Sequence, residues 1–225
     1  MPGTPARLRI ATSSARPRSR ALFIGSDVMT ADAVLEFWFG ADDLPAAEQE
    51  RLALRWFVRD ESFDREIERR FGALVDPAIA GELDAWATTP RGRLALLLVL
   101  DQFPRNLYRD SPRAFAGDAA AQRLAIEGIA RGHDRAIPAH CRAFCYLPLE
   151  HAENLRLQQR CVALFTELAA DTDAVPPERY AIYLDYARRH HDVIVRFGRF
   201  PHRNRVLARA TRPDEQAYLD AGGGF

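Results

Sequence analysis

The sequence predicts an all-α fold, an antiparallel array of about eight or nine helices in one domain. Three observations carry this. Apolar residues recur with the 3.6-residue period of a helix from Thr30 onward. The two-residue alternation of a half-buried strand is nearly absent. Glycines, prolines and polar clusters divide the chain into segments with short connections, as antiparallel helical neighbours require.

Val34, Phe37 and Trp38 form the first stripe, which Thr30 can cap and Gly40 closes. Leu52, Trp56 and Phe57 form a second, behind an acidic start at Glu48 and Glu50. Phe63, Ile67 and Phe71 recur at i, i+4 and i+8, with Gly72 as a candidate C-cap. Val75, Ile79, Leu83 and Trp86 extend the pattern to Pro90. Leu94 to Leu100 is apolar all round, so that helix is expected at the centre of the core. Leu124, Gly128 and Ile129 mark a short helix ending near Gly132. Leu157, Cys161, Leu164, Phe165 and Leu168 mark a longer one. Tyr180, Tyr183, Ala187, His190, Ile194 and Phe197 then run at helical spacing, a seam begun by Pro176 and Pro177.

Composition narrows the function. A chain of 225 residues with 48% apolar content can build one sizeable core. Formal charge is zero, every basic side chain is Arg, and five of them stand before Asp27 without an acid among them. The remaining 199 residues carry 26 Arg against 31 acids, a net of −5. That excludes bulk attraction to nucleic acid or to an anionic membrane. No apolar run approaches the ~20 residues that span a bilayer. Cys141, Cys145 and Cys161 show no metal-type C-x-x-C pair and read as buried, reduced thiols of a cytoplasmic protein. Residues 1–28, rich in Pro, Arg, Ser and Ala, read as a disordered or misassigned extension, with Met29 as an alternative start. The helical domain is expected over residues 29–220, with 221–225 as a tail.

Three segments stand out from this pattern. Asp101, Gln102, Phe103, Pro104, Arg105, Asn106 and Arg109 follow the central apolar helix, and Pro104 predicts that the helix stops near Gln102. Arg196, Phe197, Gly198, Arg199, Phe200, Pro201, His202, Arg203 and Asn204 repeat the same grammar at the end of the long seam. Each Phe-Pro is expected to end a core helix and turn an Arg-Asn pair outward. In the third segment Glu150, His151, Glu153 and Asn154 are expected at the start of a helix, where acids suit the dipole.

With Phe37-Trp38-Phe39-Gly40 and Leu147 to Glu153, these segments resemble the marks of a bacterial family of uncharacterised proteins. That family is grouped with the tetratricopeptide-like helical superfamily, and the resemblance covers Ala31 to Leu219. It implies a tetratricopeptide-like, right-handed array of antiparallel helical hairpins. It implies no activity, substrate or catalytic residue.

The chemistry of the segments leaves three functions. Arg105, Arg109, Arg196, Arg199 and Arg203 are forks suited to carboxylate or phosphate, and Asn106, Asn204 and His202 add directional donors. Counting sequence-near groups, five arginines face only Asp101, Glu150 and Glu153, a positive surplus. Binding of a small anionic ligand, or catalysis on one, therefore ranks first, with Asp101, Gln102 and His190 as further lining. Glu150, His151 and His202 are the acid–base candidates. A helical module that binds a protein or peptide partner ranks second. A metal-dependent hydrolase on His151 and His202 ranks third, because neither H-E-x-x-H nor E-x-x-H spacing occurs. No metal or other cofactor is expected. Walker, dinucleotide and nucleophile-elbow patterns are all missing from the sequence.

Overall fold

The computed structural model describes residues 22–24, 27–41, 44–171 and 176–225. The protein is all-α. The N-terminal extension lies outside the described residues, apart from Leu22–Ile24, which pairs antiparallel with Asp27–Met29. The question of an alternative start at Met29 belongs to the same extension.

Helix α1 (Ala31–Phe39) opens on Thr30, whose hydroxyl accepts from the Ala33 amide at 3.1 Å. Helices α2 (Ala46–Ala53) and α3 (Glu61–Ile79) follow. Gly72 does not cap: α3 runs through it for 19 residues, because Leu74, Val75 and Ala78 continue the buried face of Phe63, Ile67 and Phe71. After a 3-10 turn at Asp84–Thr88 comes the central rod. It begins as α4 (Pro90–Leu97), widens into a π turn at Leu98–Gln102 and finishes as α5 (Phe103–Leu107). Helices α6 (Asp118–Ala130), α7 (Ala139–Glu150), α8 (Leu155–Ala169), α9 (Pro177–Phe197) and α10 (Pro213–Asp220) complete the chain. Counting the rod as one, that makes nine helices among the described residues.

The core is aromatic and centred on Trp38. Its ring lies 6.4 Å from Trp56 in a stack and 5.7 Å from both Phe103 and Phe144. The Trp56 Nε1–H donates to the Trp38 carbonyl at 3.0 Å, so the stack carries no cost from a buried indole donor on that side. Leu94 to Leu100 is buried throughout, as its all-round apolar pattern requires. A smaller cluster of Val193, Ile194, Phe197 and Phe200 sits at the end of α9. All three cysteines are buried.

The rod corrects the expected helix stop at Gln102. Phe103 keeps helical dihedrals (φ −57°, ψ −42°), and its amide reaches back to the Leu98 carbonyl. That longer bond opens one wide turn, which accommodates the Pro104 ring and its missing donor without ending the helix. Phe103 is fully buried against Trp38 and Phe71, so core packing outweighs the local preference of a residue before proline. Gly117 lies over this turn: a Cβ there would stand 2.1 Å from the Leu100 oxygen. The second Phe-Pro does not stop a helix either. Gly198, at φ +71°, ends α9 before Phe200-Pro201 is reached.

Candidate functional site

The widened turn places Asp101 and Gln102 inside the protein, 1% and 6% exposed. Asp101 Oδ2 accepts from Gln102 Nε2 at 2.6 Å, and Asp101 Oδ1 lies 3.3 Å from Arg105 Nη1 and 2.8 Å from His151 Nδ1. Burial alone would raise the Asp101 carboxyl. Arg105 and His151 outweigh it and hold the group well below the usual carboxylate range. An ionised carboxylate only accepts, so His151 carries its proton on Nδ1 and leaves Nε2 free.

His151 and Glu150 come from the end of α7, which corrects the expectation of a helix start. The helix that begins nearby is α8, capped by Asn154 through its Oδ1 to the Arg156 and Leu157 amides. Pro148 sits inside the last turn of α7, and Gln158 Nε2 takes up the free carbonyls of Glu150 and Ala152 at 2.5 and 2.8 Å. The dipole at this end disfavours a negative charge. Burial, with Asp101 nearby, pushes the Glu150 carboxyl up to about 8, so near neutral pH it is largely protonated.

Three histidines complete the inner wall. His190 donates from Nδ1 to the Tyr186 carbonyl at 2.9 Å, 3.5 Å from Glu150 Oε1, and its ring centre lies 6.3 Å from that of His151. Burial pushes His190 down to about 3 and, with Arg203 beside it, His202 down to about 4. Burial and Arg105 lower His151 as well. All three are neutral at pH 7.

Two arginines supply the positive charge. Burial would lower Arg105, but Asp101 and Asp118 raise it. Its Nη2 donates to Asp118 Oδ2 at 3.2 Å, and its Nη1 lies 2.9 Å from Oδ1 as an ionic contact. Among the described residues Arg203 has one ion-pair contact, at 3.4 Å with the same Asp118. Its guanidinium lies between the Phe115 and Phe200 rings, 4.7 and 4.6 Å from their centres. Burial and Arg105 lower Arg203 to about 10. Among the described residues, Arg203 Nε and His202 Nδ1 are buried without a hydrogen-bond partner.

The structure therefore brings together Asp101, Gln102, Arg105, Glu150, His151, His190, His202 and Arg203. Of the other candidates Glu153 stands near enough for its charge to act on Arg203 and His202, and the rest are held elsewhere. Asn106 and Arg109 both bond Asp64 of α3, at 2.7 Å each. Arg199 and Asn204 close on the buried Glu215 of α10. Glu153 accepts from the Phe200 amide and pairs with Arg209. Arg196 is exposed and lies over Phe197 and Tyr218. Neither Arg-Asn pair turns outward: Arg203 is 7% and Asn204 0% exposed, and the half-buried Arg105 and Asn106 bond Asp118 and Asp64. The expected surplus of arginines also shrinks, because Asp64, Asp118 and Glu215 arrive from distant segments. What persists is one under-compensated guanidinium, Arg203.

Sequence reasoning missed Asp118, Phe115 and Phe225. Asp118 had a usable signal, an acid opening a helix directly after Gly117. Phe225 stacks on His190 with ring centres 3.5 Å apart, and nothing in its sequence neighbourhood marks it beyond the glycine run before it. Among the described residues no group of three or more His, Cys, Asp or Glu is placed to hold a metal ion. No helix among the described residues is long and apolar enough to cross a membrane.

The assembled residues lie between Asp101 and Phe225, and all but Phe225 fall within residues 34–223, which match the family described as bacterial protein of unknown function (DUF924). The chain belongs to the DUF924 family. A solved structure of the protein of unknown function ATU0120 from Agrobacterium tumefaciens is similar to it, with 38% sequence identity and a TM-score of 0.72. That likeness covers 85% of this chain and 97% of the Agrobacterium protein. No curated protein matches the chain. The DUF924 fold thus comes with a solved relative and without an assigned activity.

Proposed function

We propose that the protein binds a small anionic ligand at Arg203 and His202, beside the acid–base groups Glu150, His151 and His190. One observation carries this: among the described residues Arg203 Nε and His202 Nδ1 are buried without hydrogen-bond partners, and the Arg203 guanidinium shares its nearest carboxylate, Asp118, with Arg105. A buried donor left unpaired costs about 1–3 kcal/mol, and an anion's oxygens would remove that cost. His202, neutral in this setting, can present Nδ1–H to such an oxygen without bringing a second buried charge. The Asp101–His151 contact supports a catalytic extension, with His151 Nε2 free as a base and Glu150 protonated as an acid.

The test is thermal stabilisation by inorganic phosphate and by benzoate, for wild type and Arg203→Lys. A shift that saturates in wild type and shrinks in the variant supports the reading. Equal shifts, or none in either protein, remove it. A second reading, a partner-binding helical module, is favoured by exposed Leu54, Phe57 and Val58 after α2. A tetratricopeptide-like stacking of helical hairpins and a cytoplasmic location belong to the same set of proposals. Sequential packing of α7 on α8 and α8 on α9 supports the first, and the burial of all three thiols supports the second.

A further inference from the structure

The segment after α10 turns back onto the site. Gly223 passes so close to Tyr218 that a Cβ would stand 2.5 Å from the ring, and Gly224, at φ +138°, packs on His202. Only glycine fits this path, and it delivers the Phe225 ring face-on to His190, with 11° between the planes. Phe200 and His202 meet the same ring edge-on, at 6.2 and 5.9 Å between centres. His190 is a prepared stacking surface: its Nδ1–H is tied to the Tyr186 carbonyl, which fixes the ring plane. Phe225 itself is 46% exposed, with the Arg189 guanidinium also over its ring at 5.6 Å, so it is only half covered. It also forms one wall of a cleft of about 400 Å³ that includes Arg189, Asp192, Val193 and Tyr218 but not His190.

We propose that Phe225 occupies the ring site of the natural ligand, so that the anion bound here carries a flat aromatic ring. The ring replaces Phe225 on His190, and the anionic group takes the unpartnered donors of His202 and Arg203. This rests on the anion site proposed above and adds the chemical class of its ligand. Displacing Phe225 joins the outer cleft to His190, so the 222–225 segment competes with the ligand for its own slot. Face-to-face and edge-on contacts of the kind Phe225 makes select planar rings over saturated ones of equal size.

Calorimetric titration of the full chain tests this, using benzoate, cyclohexanecarboxylate, acetate and inorganic phosphate against wild type, Phe225→Ala and Phe225→Trp. Benzoate should bind Phe225→Ala about ten-fold more tightly than wild type, because its competitor is gone. Cyclohexanecarboxylate should gain less, acetate should change by less than about two-fold, and Phe225→Trp should restore the competition. Equal benzoate affinity in wild type and Phe225→Ala overturns the ring site, as does equal preference for the saturated ring. If phosphate still binds through Arg203 while benzoate gains nothing, the ring site falls and the anion site stands. If none of the four binds any form, both fall.

Discussion

Arg203 meets Asp118 across 85 positions of sequence, through one 3.4 Å contact on a carboxylate that Arg105 already holds. The arrangement leaves two buried guanidinium groups on one shared carboxylate, and Arg203 is the less compensated of them. Asp118→Asn should therefore destabilise the protein by roughly 3 kcal/mol, the usual scale for stripping the counter-ion from a buried charge. Inorganic phosphate should restore more stability to the variant than to wild type. Thermal melts with and without phosphate check this; an equal phosphate effect in both would mean that the anion does not reach these arginines.

Glu150 sets one pH dependence. Its folded-state carboxyl is raised to about 8 from 4.5, chiefly by burial, so the folded protein holds this proton where the unfolded chain releases it. Stability from this group is complete below pH 4.5 and is lost as pH rises through about 8. Glu150→Gln should flatten that loss and exceed wild type in stability on the alkaline side, by on the order of a few kcal/mol. Urea unfolding at stepped pH values measures it, and parallel wild-type and variant curves would contradict the burial argument.

The histidines act in the opposite sense. His190 at about 3 and His202 at about 4 stay neutral in the fold, whereas the unfolded chain protonates them near 6.5. Their contribution is complete above pH 6.5 and is lost as pH falls toward 4 and 3. Long-range ¹⁵N–¹H spectra at pH 7 should show neutral rings with the proton on Nδ1 for both His151 and His190, as their acceptors Asp101 and Tyr186 dictate. A charged imidazole at either position would contradict the assigned geometry.

Arg109 separates architecture from binding. Its two bonds to Asp64, at 2.7 and 3.0 Å, tie α5 to α3 away from the site. Arg109→Ala should cost about 1–2 kcal/mol in stability and leave phosphate stabilisation unchanged. A lost phosphate effect in a folded Arg109→Ala protein would move the site toward α3.

Helix α9 was legible because its stripe is regular, every seam position from Tyr180 to Phe197 facing inward or lying partly buried. The stripes through Trp56-Phe57 and Leu83-Trp86, by contrast, run on past the ends of α2 and α3 into turns. The widened turn at Leu98–Gln102 was not legible, since local rules stop a helix before Pro104 and only the packing of Phe103 on Trp38 overrides them. The placement of Glu150 at a helix end was hidden for a related reason. Local rules place a break at Pro148, yet α7 runs on to Glu150, where Gln158 reaches back from α8 to the helix-end carbonyls of Glu150 and Ala152. Much of the site's lining was visible as residue types in three segments. Which arginines are already paired was not, because Asp64, Asp118 and Glu215 lie 45, 85 and 16 positions from the arginines Arg109, Arg203 and Arg199 that they meet.

The central claim is that Arg203 and His202 hold an anion, and the Arg203 Nε–H resonance reports on it most directly. Titrating inorganic phosphate into ¹⁵N-labelled protein should move that resonance and the His202 ring signals along one saturable curve. If both stay fixed while only exposed side chains such as Arg196 respond, the anion site at Arg203 does not exist.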